Sequence, residues 1–67
     1  KPGDRAIYNG EPMLENITKR YGGDTCTILE VREKFGDCRV AFDSFPNTNH
    51  RDYHNRFMVS MDSLTKI

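Results

Sequence analysis

Polar and apolar positions alternate over Arg5-Ala6-Ile7-Tyr8, which predicts a short strand with Ala6 and Tyr8 facing inward. Asn9-Gly10 then breaks the pattern. From Glu11 to Tyr21 the spacing becomes helical. Met13, Leu14, Ile17 and Tyr21 recur at that interval, with Glu11 and Glu15 early, Lys19 and Arg20 late, and Gly22-Gly23 behind them. Early acids and late bases complement a helix dipole, and a glycine suits a C-cap, so 11–21 reads as a short amphipathic helix. A helix of about ten residues is marginal alone. A long loop laying the same side chains across the mouth of a barrel fits the pattern equally well.

The next stretch, Thr25 to Phe35, is rich in β-branched residues and reads as a strand, with Phe35-Gly36-Asp37-Cys38 as a turn and Cys38 to Asp43 as the returning strand. A two-residue loop would pair Val31 with Phe42, and a four-residue loop would pair it with Val40. Both registers place Leu29, Val31, Cys38, Val40 and Phe42 on one inward face, because a shift of two preserves alternation. Ile28 then falls on the outer face unless the strand is re-aimed, so a bulge or strong bend is expected there.

Residues 44–55 are polar and turn-rich and read as a long surface loop, a type of connection that often carries function. Phe57-Met58-Val59 predicts another strand. Val59, Leu64 and Ile67 reach one core if a 3₁₀ turn near 61–63 separates two short strands.

Charge and composition exclude several classes. Ten basic residues balance ten acidic ones across 67 residues, so no net field draws the molecule toward nucleic acid or an anionic membrane. No apolar run is long enough for a membrane span or a signal-peptide core, so no membrane contact and a cytoplasmic location are expected. The chain opens on Lys1 rather than Met, which fits a processed or excised segment. Two cysteines, Cys26 and Cys38, are too few for a disulfide framework and read as free buried thiols. One unit of structure, 1–67, accounts for the whole chain.

The stretches Gly3-Asp4-Arg5-Ala6-Ile7-Tyr8, Gly23-Asp24-Thr25-Cys26-Thr27-Ile28-Leu29-Glu30-Val31 and Gly36-Asp37-Cys38-Arg39-Val40-Ala41-Phe42-Asp43, with Val59, Leu64 and Ile67, resemble the small SH3-like barrels of the KOW and mind-bomb type. The resemblance implies a mainly β, half-open barrel of about five strongly bent strands. Its residues determine a fold and not an activity. Cys26 stands where such barrels often carry a glycine, and 9–22 and 44–55 exceed what a minimal barrel needs. The chain has no tryptophan, so the proline-rich-peptide binding of SH3 domains is not carried over.

Candidate chemistry is sparse. Cys26, Cys38, His50 and His54 could in principle supply four zinc ligands, but the spread of the cysteines along a hairpin lacks the tight knuckle of structural zinc sites, so no metal or cofactor is expected. No nucleophile motif or phosphate loop occurs, so no enzyme is expected. Type II dihydrofolate reductases build an active site by assembling similar barrels through a Val-Gln-Ile-Tyr strand, which Val59-Ser60-Met61-Asp62 does not match. The expected function is a non-enzymatic interaction module, of the kind found among phage- and plasmid-type accessory proteins, binding a protein partner or a second copy through Met13, Leu14, Ile17, Tyr21, Phe45 and Tyr53. The alternative is a nucleic-acid-binding module in which Lys19, Arg20, Arg51, His54 and Arg56 meet phosphate and Tyr53 stacks on a base.

Overall fold

The computed structural model describes residues 2–45 and 55–67. Five antiparallel strands form one open sheet: β1 (Arg5–Tyr8), β2 (Thr25–Arg32), β3 (Asp37–Phe42), β4 (Phe57–Ser60) and β5 (Leu64–Lys66), in the order β4-β3-β2-β1-β5. A 3₁₀ turn (Pro12–Leu14) leads into one helix, α1 (Glu15–Tyr21), and a second 3₁₀ turn (Met61–Ser63) separates β4 from β5. The 11–21 segment is therefore helical from Pro12 onward, and the expected turn at 61–63 is present. No helix among the described residues is long and apolar enough to cross a membrane.

β1 alternates as predicted, with Ala6 and Tyr8 fully buried. The β2–β3 register corrects both alternatives: Val31 lies opposite Cys38, and neither Val40 nor Phe42 is its partner. The turn occupies 33–36, before the strand partner Asp37, because Gly36 takes φ +70°, the left-handed conformation that closes the loop. β2 accordingly ends at Arg32 and does not run to Phe35.

The expected bulge lies between Ile28 and Glu30. Its consequence for Leu29 is the reverse of the expected one. Cys26 and Ile28 face inward before the bulge and Val31 faces inward after it, so Leu29 is the extra residue and stands 40% exposed.

The core is Ala6, Tyr8, Tyr21, Cys26, Ile28, Cys38, Val40, Phe42 and Val59. Tyr21 stacks flat on Phe42, ring centroids 4.3 Å apart and planes 2° apart, and Phe57 meets both rings at 5.3 and 5.2 Å. Tyr8 meets Phe42 edge-on at 5.4 Å. Each such pair adds about 0.5–1.5 kcal/mol beyond the area it buries, a large share for a domain this small.

Candidate functional site

The helical segment is fastened to the sheet through Glu11. Its carboxylate accepts from the Tyr8 hydroxyl at 3.1 Å and from the Ser60 N–H at 3.2 and 3.3 Å. The Thr18 hydroxyl accepts from the Glu11 N–H and donates to the Glu11 carbonyl, both at 2.8 Å. Thr18 thus ties the start of the segment to the middle of α1. Burial raises the Tyr8 phenol above its ordinary range, which keeps it a donor to Glu11.

This anchoring redistributes the predicted protein-binding residues. Tyr21 is corrected to a core residue, 4% exposed. Leu14 and Ile17 are half-buried and pack against the core, and Phe45 does the same with its ring 5.8 Å from Phe57. Met13 alone of these projects fully, at 91% exposure. Of this set the aromatic cluster takes Tyr21 into the core, while Leu14, Ile17 and Phe45 keep part of their surface exposed. Lys19 and Arg20 are exposed on the last turn of α1, and Arg56 is exposed ahead of β4. Arg51, Tyr53, His54 and His50 lie outside the described residues. Cys26 and Cys38 are buried free thiols, and burial raises both above the usual thiol range. Cys26 lies opposite Phe42 in the ladder.

The open side of the sheet carries a feature that sequence reasoning did not assemble. A groove of about 330 Å³ lies between β5, the second 3₁₀ turn and the far end of the β2–β3 hairpin. Ala6, Ile28, Val31, Cys38, Met61 and Leu64 give it an apolar lining, and Glu33 and Lys66 bring the charge. The Lys66 ammonium is paired with Asp4 at 3.1 Å, which holds the Asp4 carboxyl below its usual range.

The tip of the β2–β3 hairpin presents Phe35, 66% exposed. The Arg32 guanidinium lies 4.4 Å from its ring centroid and is itself clamped by Asp37 through two hydrogen bonds of 2.8 and 2.9 Å. That pairing lowers the Asp37 carboxyl and raises the Arg32 guanidinium. Phe35 is thus an exposed aromatic held on one side by a fixed cation. The adjacent Gly36 carbonyl accepts the Met61 N–H at 2.9 Å, joining the hairpin tip to the 3₁₀ turn. Met61 is 39% exposed, and Ile67, next to Lys66, is 72% exposed. Ile67, expected in the core with Val59 and Leu64, is corrected to an exposed residue: β5 ends at Lys66, and alternation turns position 67 to the face of Arg5 and Thr65, away from Leu64.

Among the described residues no group of three His, Cys, Asp or Glu side chains could hold a metal ion. Comparison with protein-family models, curated proteins and solved structures finds no match to this chain.

Proposed function

We propose that this chain is a non-enzymatic protein-interaction module built on a half-open SH3-like barrel. The strand order β4-β3-β2-β1-β5, with a 3₁₀ turn feeding the last strand, supports the barrel reading. The observation that carries the interaction reading is the apolar groove itself, lined by Val31, Met61 and Leu64, with Met61 39% exposed. Exposed apolar side chains gathered at a concave site mark a contact surface, whereas scattered ones need no explanation. Phe35 has the further quality of an anchor, since the Arg32–Asp37 clamp fixes its neighbour before any partner arrives. The free buried thiols suit a reducing, cytoplasmic setting.

The test compares partner capture by the wild-type chain and by Phe35→Asp and Met61→Lys, both surface changes that leave the core intact. A partner retained at moderate salt and lost in both variants supports the module. Titration of labelled DNA and RNA at low salt runs beside it. Saturable nucleic-acid binding that weakens steeply with salt would overturn the protein-interaction reading in favour of one through Lys19, Arg20 and Arg56.

A further inference from the structure

We infer that the groove accepts an extended peptide as a sixth strand along β5, and that this peptide carries an apolar and a basic side chain on alternate residues. The inference rests on the protein-interaction reading and names the chemistry of the partner.

β5 ends the sheet order, and its main chain is oriented for addition. The Ser63 carbonyl accepts the Asn9 N–H at 2.6 Å, and the Ile67 N–H reaches the Arg5 carbonyl at 3.1 Å. With Ile7 opposite Thr65, residues 63, 65 and 67 turn their polar groups toward β1. Leu64 and Lys66 therefore turn theirs outward. The Leu64 N–H is already given to the Met61 carbonyl, which leaves the Leu64 carbonyl and both groups of Lys66 for an incoming strand.

Leu64 and Lys66 are also the β5 residues that line the groove. A strand bonded to them would present every second side chain on that same face, over Ala6, Ile28 and Cys38. One of those side chains meets the apolar lining beside Met61. The charge requirement follows from the two groups at the groove. Lys66 is neutralised by Asp4, and Glu33 makes no ion pair or side-chain hydrogen bond with any described residue. The unanswered charge is negative, so the second side chain is Lys or Arg.

The probe is a pair of nine-residue synthetic peptides with Thr/Ser flanks and the centre Leu-Thr-Arg or Leu-Thr-Glu, titrated into the intact chain. Binding is read by anisotropy and by backbone amide shifts. The Arg peptide is expected to bind about tenfold tighter than the Glu peptide, and the variant Glu33→Lys to reverse that order. Shifts should centre on Leu64, Lys66, Met61 and Cys38. Methylating alternate peptide nitrogens should abolish binding in one frame and spare it in the other. Equal affinity for the two peptides, an order unchanged in Glu33→Lys, or no binding by either would overturn the inference. Shifts confined to Met13 and Ile17 would also overturn it while leaving a protein-interaction module in place. Loss of the module reading itself comes only from the nucleic-acid titration above.

Discussion

The side-chain amide of Asn55 pairs with the main chain of Phe42, accepting its N–H at 2.7 Å and donating to its carbonyl at 2.7 Å. The β3–β4 ladder pairs Cys38 with Val59 and Val40 with Phe57, so the next rung in that series falls between Phe42 and position 55. A carboxamide has the same donor and acceptor as a peptide group. Asn55 thus supplies with its side chain the rung that main chain supplies elsewhere, and it holds Phe42 at the centre of the aromatic cluster.

Asn55→Ala is expected to cost about 2 kcal/mol, since it removes two hydrogen bonds and leaves part-buried main-chain groups of Phe42 without partners. Asn55→Asp keeps an acceptor but sets a carboxylate against the Phe42 carbonyl, and should be no better at neutral pH. Urea denaturation midpoints check both, and an unchanged midpoint in Asn55→Ala would remove the rung from the account.

Gly22 and Gly23 close α1 for different reasons. Tyr21 to Asp24 forms a type II turn: Gly22 has φ −56° and ψ 125°, Gly23 has φ +88°, and the Asp24 N–H meets the Tyr21 carbonyl at 2.9 Å. Gly23 needs its left-handed backbone. Gly22 does not, but a Cβ there would stand 2.5 Å from the Thr18 carbonyl oxygen. Both alanine variants should lose about 1–2 kcal/mol. Asn should partly rescue position 23, because Asn tolerates that conformation, and should give no rescue at position 22. Equal behaviour of Asn at both sites would contradict the distinction.

On the outer face Arg5 hydrogen-bonds both carboxylate oxygens of Asp43, and Thr25 donates to the same carboxylate. These contacts lower the Asp43 pKa from 3.8 to about 2, Arg5 contributing most. Between those values the unfolded chain binds a proton that the folded chain refuses, so this contribution is whole above pH 3.8 and fades as pH falls toward about 2. Asp4 and Asp37, also lowered by their cationic partners, act in the same direction. Thermal melts across this window should show Asp43→Asn with a shallower acid dependence than wild type, and parallel curves would refute the assignment. The groups are well exposed, so added salt should weaken the effect.

Tyr21→Ala should cost about 3–5 kcal/mol, as much as a core this small supplies, and so leave the chain largely unfolded. Tyr21→Phe keeps the ring stacked on Phe42 and should stay within about 0.5 kcal/mol of wild type. Far- and near-ultraviolet circular dichroism separates these outcomes. A folded Tyr21→Ala chain would return Tyr21 to the surface set from which the structure removes it.

Local signals determined much of this fold. Alternation placed Ala6 and Tyr8 inward and the misfit of Ile28 announced a bulge, whereas the spacing over 11–21 fitted a helix and a loop equally and the structure resolved it as α1. Each depends on residues within a few positions of one another, where periodicity and backbone preference act directly. The β2–β3 register depended on which residues the turn would consume, and the left-handed Gly36 settled it, while the bulge between Ile28 and Glu30 sent Leu29 outward. Tertiary structure alone decided that Tyr21 belongs to a five-ring cluster with Tyr8, Phe42, Phe45 and Phe57, because stacking partners twenty or more positions away leave no mark on local spacing. The groove has the same origin. Its lining comes from β1, β2, β3, the second 3₁₀ turn and β5, and only the strand order brings Glu33 and Lys66 to one opening.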